Sequence, residues 1–231
     1  MNKIIKLLLI ARALINRLVR PKDSYWLATK SVKPLSRKFG FDRGTPIDRF
    51  WIEQFMSQQQ KFIKGHVLEI GDRSYTKQFG HQVTKSDILD ISQKNKTATL
   101  YGDLQNLKKV IPNDTYDCII VTHVLGLILE VEEALQELKR ILKPGGVLLV
   151  TSSCLSPTHD QKSNLWRFTP AGARYLFGKY FLKSKLEITA FGNVLTGQAF
   201  WVGLSAEDLN HRELEYNDPE YPCIVAVKAV K

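Results

Sequence analysis

The chain has 231 residues, 44% of them apolar and 24% charged, with a formal net charge of +10. That length holds one large domain, or one domain with a terminal arm, and the balance of apolar and charged residues excludes a disordered or fibrous chain. Cys118, Cys154 and Cys223 are an odd number of cysteines with no CxxC pair, which excludes a disulfide framework and a zinc site; reduced thiols, no metal centre and a cytoplasmic location are expected.

The first twenty residues place Ile4, Leu7, Leu8, Ala11, Leu14, Ile15 and Leu18 at helical spacing, with Lys3, Lys6, Arg12, Asn16, Arg17 and Arg20 on the other side. This predicts a basic amphipathic helix stopped at Pro21. Charges recur too often for a membrane span, which needs about 18 uninterrupted apolar residues, and Lys6 and Arg12 break any signal-peptide core. Residues 1–43 hold eleven Lys/Arg against two acids, so +9 of the net charge lies there. The expectation is an arm over 1–43 and one main domain over 44–231. The arm either lies on anionic lipid at the inner face of the cell membrane, docks on a membrane-bound partner, or folds back on its own domain. Oligomeric state is left open.

Between arm and domain, Phe41 to Phe55 sets Asp42, Arg43, Asp48 and Arg49 among aromatic residues. It reads either as a lid whose arginines bind an acidic sugar or phosphate, or as a helix with Phe50, Trp51 and Phe55 in the core. From His66 onward strand-like runs alternate with helical patterns, predicting a largely parallel sheet with crossover helices. Strands are expected at 66–70, 82–86, 97–101, 116–121 and 147–151, and a helix at 131–142 ended by Lys143-Pro144-Gly145-Gly146. Antiparallel closing strands at 186–191 and 223–228 flank an apolar helix around 194–204.

In such a sheet ligands bind beyond the carboxyl ends of the strands. After the first strand come Glu69, Gly71 and Asp72, with Gly71 permitting close backbone approach. Asp87 and Asp90 follow the second strand, about twenty residues beyond the glycine, the spacing for an acid that takes ribose hydroxyls. Gly102-Asp103-Leu104 follow the third and Thr122-His123 the fourth.

These segments resemble the class I S-adenosylmethionine (SAM)-dependent methyltransferases, in particular the methyltransferase type 11 group. The likeness is carried by VLEIGD (67–72), YGDL (101–104), YDCIIVTHVLGLI (116–128), LKRILKPGGVLLV (138–150) and WRFTPAGARYLF (166–177). A narrower likeness, through FDRGTPIDRFWIEQF (41–55), FGNVL (191–195) and the closing NDPEYPCIVAVKAVK, is to bacterial methyltransferases found beside glycosyltransferases in cell-surface polysaccharide clusters. The resemblance implies a Rossmann-like, seven-stranded α/β sheet with helices on both faces and SAM as cofactor. It implies that Glu69, Gly71 and Asp72 hold the methionine end of SAM, Asp87 the ribose, Asp103 and Leu104 the adenine, and that Thr122 and His123 line the floor near the methyl group.

One departure from the family pattern stands out: the GxGxG loop has Arg73 and Tyr75 in place of its second and third glycines, where side chains crowd or close over the cofactor. The same change argues against a dinucleotide enzyme. For methyl transfer to an oxygen, His123 is the expected general base, with a capping or packing role as the plain alternative. His159 and Asp160 are a further candidate pair, in a loop that otherwise is merely solvated. Trp166-Arg167-Phe168 either stacks on a sugar ring or leads into a helix capped at Thr169-Pro170. The function expected is O-methylation of a sugar, glycan or lipid-linked glycan. The alternatives are a non-catalytic adaptor for a membrane glycosyltransferase and, with only the high isoelectric point for it, nucleic-acid methylation.

Overall fold

A computed structural model describes residues 31–158 and 163–231; the amphipathic helix expected over residues 1–20, and His159 and Asp160, lie outside the described residues. In the compact unit Leu35–Lys231, the sheet comprises β1 (Gly65–Ile70), β2 (Val83–Asp90), β3 (Leu100–Tyr101), β4 (Tyr116–Thr122), β5 (Leu142–Ser153), β6 (Leu186–Phe191) and β7 (Ile224–Val230). Their order is β3-β2-β1-β4-β5-β7-β6. All neighbours are parallel except β7, which runs antiparallel to both β5 and β6. The seven-stranded Rossmann-like arrangement is the one expected.

Helices α1 (Ile47–Gln59), α2 (Ser74–Phe79), α3 (Val131–Ile141), α4 (Pro170–Gly178), α5 (Val194–Val202) and α6 (His211–Glu215) complete the unit. Alternation along the central strands divides the core in two, because successive side chains face opposite sides. Ile119, Val121, Leu148, Val150, Val225 and Val227 pack with α3 and α4. Cys118, Ile120, Val147, Leu149, Ile224 and Ala226 pack with α1, Tyr75 of α2, and α5. Burial on both faces explains why β4 reads as an unbroken apolar run. It also pushes the Cys118 thiol pKa well up, keeping it protonated.

Several boundaries differ from expectation, β3 being only Leu100–Tyr101 rather than 97–101, and three of the differences bear on the site. β2 continues four residues past Ser86, so Asp87 lies inside it, paired to Leu68 of β1. Lys143-Pro144-Gly145-Gly146 does not follow a helix end as a loop: α3 stops at Ile141 and the four residues form an irregular start of β5, where the register against β4 shifts. The arm is shorter than 1–43, because residues 35–43 belong to the domain body. The Leu35 amide donates to Val202 O at 2.8 Å, and Arg43 forms a bidentate pair with Asp208 at 2.9 and 2.8 Å. That pair holds the Asp208 carboxyl far below the usual carboxylate range, chiefly through the Arg43 hydrogen bond, and commits Arg43 to structure rather than to a ligand. Thr169 and Pro170 do cap α4, with the Thr169 hydroxyl accepting from Gly172 N.

Candidate active site

Four strand ends build the first half of the site. At the end of β1 the chain turns through Gly71, whose φ is +87°, a left-handed value that costs a side-chain-bearing residue about 1–2 kcal/mol. A Cβ built there meets nothing within 4 Å, so the turn faces open space. Its own amide donates to Leu89 O at 2.9 Å and continues the sheet ladder. Glu69, 2% exposed, accepts from Tyr75 N at 3.1 Å and from Thr76 N and Oγ1 at 2.8 and 2.7 Å. It therefore organises the loop by holding the start of α2. Burial raises its carboxyl pKa, and the bonds from Thr76 and Tyr75 oppose the rise. Asp72 is exposed and accepts from Ser74 N and Oγ at 2.7 and 2.6 Å.

The acid at the tip of β2 is Asp90. Its carboxylate accepts from Asn95 Nδ2 at 2.7 Å and Ser92 N at 2.7 Å, while the same Asn95 amide donates to Gly71 O at 2.6 Å. The clamp ties the ends of β1 and β2 together. Asp87, the residue expected to take the ribose, is three positions earlier. At about 3.3 Å per residue it lies about 10 Å back along the strand, and an odd offset puts it on the opposite face. There it accepts from His66 Nε2 at 2.6 Å and from the Tyr116 hydroxyl at 3.2 Å. Burial works against its charge, but the His66 hydrogen bond, Lys85 and Tyr116 hold its pKa below the ordinary value. Asp87 is thus a buried structural carboxylate, and it does not converge with Asp103.

Asp103 does stand beside Asp90, because the Gly102 amide donates to Asp90 O at 3.1 Å. Its carboxylate accepts from Gln105 N at 3.0 Å, and Leu104 is 5% exposed against the core. The turn is fixed from below by Glu137 of α3, whose Oε2 accepts from Leu107 N at 2.7 Å and Arg140 Nη2 at 2.8 Å. Thr122 ends β4, paired to Thr151.

The second half of the site is a cavity of about 360 Å³ beyond β4 and β5. His123, at φ +56°, is held there by its amide bond to Thr151 O at 2.9 Å, a strained backbone of the kind found where a side chain must be aimed. Its Nε2 faces the Asp48 carboxylate of α1 at 3.3 Å. This is ion-pair distance without hydrogen-bond alignment, and Nε2 is buried with no better partner. Its Nδ1 lies 3.2 Å from Ser153 Oγ. Asp48, His123 and Ser153 all line the cavity, with Arg49, Phe39 and Trp166 also on its wall. Trp166 is fixed by its indole N–H to Ile128 O at 2.8 Å. The Asp48–His123 contact has no signal in the sequence, because the partners are 75 positions apart and meet only when α1 packs across the sheet.

Tyr75 does not fill the cofactor side. Arg73 is exposed, and Tyr75 is 3% exposed with its ring in the core beneath α1, stacked on Phe79 at 6.4 Å. Open space at Gly71, aspartates at the adjacent ends of β2 and β3 (Asp90 and Asp103), and the half-buried floor at Thr122 fit a nucleoside with an amino-acid tail.

Sheet order and strand-end acids together define the class: a SAM-dependent class I methyltransferase. The model of the methyltransferase-domain family matches residues 37–187, and the chain belongs to that family. Among curated proteins it is 33% identical over 150 residues to the ubiquinone/menaquinone biosynthesis C-methyltransferase UbiE of Marinomonas sp. (strain MWYL1), covering 54% of this chain and 59% of the relative. A UbiE of Pasteurella multocida (strain Pm70) is 29% identical over 141 residues, covering 53% and 52%. The chain thus spans little more than half the length of these relatives. Among solved structures, a SAM-dependent methyltransferase from Archaeoglobus fulgidus superposes with a TM-score of 0.54 at 16% identity, over 79% of this chain and 94% of that one.

Proposed function

We propose that this methyltransferase acts on a hydroxyl oxygen of a sugar, glycan or lipid-linked glycan, with His123 as the general base. The observation that carries the reading is the Asp48–His123–Ser153 line on the cavity wall. A carboxylate beside Nε2 favours the tautomer with its proton there, which leaves Nδ1 to take the acceptor proton, directly or through the Ser153 hydroxyl. An apo contact of this length tightens when substrate excludes water. SAM, when bound, supplies a methyl group on a good leaving group, so the protein's work is alignment and proton removal. Ser152, Ser156 and Asn164 offer hydrogen bonds along the cavity, and Trp166 and Phe39 offer aromatic faces, a combination suited to a sugar ring.

The curated relatives favour a second reading. Those proteins bear the name C-methyltransferase, and a base at His123 serves equally to deprotonate a phenol whose ring carbon then attacks. Incubating the protein with SAM carrying a ¹³C-methyl group and panels of glycans and phenols decides between them: an O-methyl signal on a glycan supports the first reading, a ring C-methyl signal the second.

For location, no helix among the described residues is long and apolar enough to cross a membrane. The +9 charge of residues 1–43 supports peripheral binding at the cytoplasmic membrane face, beside a glycosyltransferase that supplies the acceptor. Sedimentation with anionic but not neutral vesicles, lost on deleting residues 1–30, is the expected result.

A further inference from the structure

Arg49 and Arg167 stand on the wall of the cavity beyond β4 and β5 and hold charge that no carboxylate answers. Arg49, in the first turn of α1, is half-buried. Its guanidinium donates to the Tyr75 hydroxyl and lies 5.7 Å from the centre of that ring, while Asp48 and Asp72 act on it through space. Arg167 donates to Asn164 Oδ1, to Trp166 O at 3.0 Å and to Ser156 O at 3.2 Å, all of them neutral acceptors. Among the described residues neither head lies within ion-pair distance of a carboxylate. Arg43 and Arg140 differ: each sets its fork on both oxygens of one acid, Asp208 and Glu137 respectively. That planar fork suits a carboxylate or a phosphate, so the two heads on the wall have charge left for an anion.

The wall favours an anion as a whole. Its acid among the described residues, Asp48, is directed to His123 Nε2 at 3.3 Å, which leaves the two cations to set the field, and a cleft lined by one sign of charge concentrates the opposite sign. Arg167 is exposed, but its backbone is pinned on both sides. The Leu165 and Trp166 amides donate to Gly126 O at 2.9 and 3.0 Å, and the Phe168 amide donates to Ser153 O, at the end of β5, at 3.1 Å. A volume of about 360 Å³ is at the small end for ligand sites, roughly 300–1,000 Å³. A sugar ring that fills it borders both arginines and His123.

We propose that the acceptor is an anionic sugar, whose carboxylate or phosphate is taken by Arg49 and Arg167 while a hydroxyl of the same unit meets His123. The inference rests on the sugar reading above and narrows it. A neutral sugar of the same shape leaves both cations unpaired, and a site built around polar groups discriminates strongly against a ligand that lacks their partner.

Titration of the ¹⁵N-labelled full chain with glucuronate, glucose 6-phosphate and glucose, followed through the arginine Nε–H resonances, tests it. The better-bound acid is expected to bind about tenfold or more tightly than glucose, the scale of a charged hydrogen bond. Arg49→Met and Arg167→Met each lower its affinity about tenfold or more and leave glucose binding within about twofold. Arg49→Lys keeps part of the affinity, and Arg167→Met, at an exposed position, carries the comparison if Arg49→Met does not fold. Tighter binding of glucuronate assigns the anion as a carboxylate, and tighter binding of the phosphate ester assigns a phosphate. Acids that bind no more tightly than glucose overturn the proposal, as does binding of neither acid. So does acid affinity that survives both substitutions, the mark of an anion held elsewhere on the surface. Methyl transfer to neutral glycans without acid binding leaves the sugar reading intact. Acid binding through both arginines with methyl transfer to phenols alone removes that reading while the anion site stands.

Discussion

β2 carries two aspartates with opposite duties, and they can be separated by experiment. Asp87 is 7% exposed and accepts from His66 at 2.6 Å and Tyr116 at 3.2 Å, with Lys85 Nζ at 3.4 Å but 64% exposed. A hydrogen bond to a charged group contributes about 1.5–3 kcal/mol, and an exposed ion pair little. Asp87→Asn keeps the shape, removes the charge and forces an amide N–H₂ toward one of two donors, so a loss of about 2–3 kcal/mol is expected. For a domain of this size that lowers Tm by about 4–12 °C. Because the folded pKa of Asp87 lies below its ordinary 3.8, its stabilisation is complete above that value and is lost as pH falls through the folded pKa. The Tm gap between wild type and variant therefore closes in strong acid. Affinity for S-adenosylhomocysteine stays within about twofold of wild type. Asp90→Asn does the reverse, weakening that affinity about tenfold or more with a smaller change in Tm. Differential scanning calorimetry and isothermal titration on both variants decide the matter. An Asp87 variant with native Tm and abolished cofactor binding would refute the assignment of the two roles.

Three further outcomes follow from the same geometry. His123→Asn lowers kcat about 10²–10⁴-fold, as removal of a general base does, and Asp48→Asn up to about 100-fold through misorientation; neither alters S-adenosylhomocysteine affinity in a titration. Gly71→Ala, forced to φ +87°, loses about 1–2 kcal/mol of stability and, with its methyl group in the open space of the turn, loses cofactor affinity measurably by calorimetry. Glu137→Ala strips the Leu107 amide and Arg140 of their acceptor at a cost of about 1.5–3 kcal/mol, and hydrogen exchange of amides 104–107 accelerates with a loss of adenine-side affinity.

Much of this architecture was readable from pattern. The double-sided core made β4 a continuous apolar run, and the heavily amphipathic α3 placed Ala134, Leu135 and Leu138 in the core. β6 falls within the expected bounds. The errors have local causes. Asp87 is a charge in mid-strand, and charges usually mark strand ends; only a long-range partner, His66 across β1, makes it acceptable there. With the strand expected to end at Ser86, Asp87 rather than Asp90 reads as the acid at its tip. Tyr75 was legible as a departure from the glycine pattern but not in its direction, because helix α2 turns its ring away from the loop and under α1. His123 was found from its place after β4, whereas Asp48 was visible only as one of several charges among aromatic residues.

The attachment of residues 35–45 bears on how the enzyme matures on the ribosome. Leu35 and Ser36 bond to Val202 O, Arg43 grips Asp208, and the Ala206 amide donates to Thr45 O at 2.7 Å. The entry to α1, hence the placement of Asp48 and Arg49, therefore depends on chain synthesised some 160 residues later. At translation rates of about 5–20 residues per second, the strands that end at Ile70, Asp90 and Thr122 are synthesised well before the segment that fixes the entry to α1.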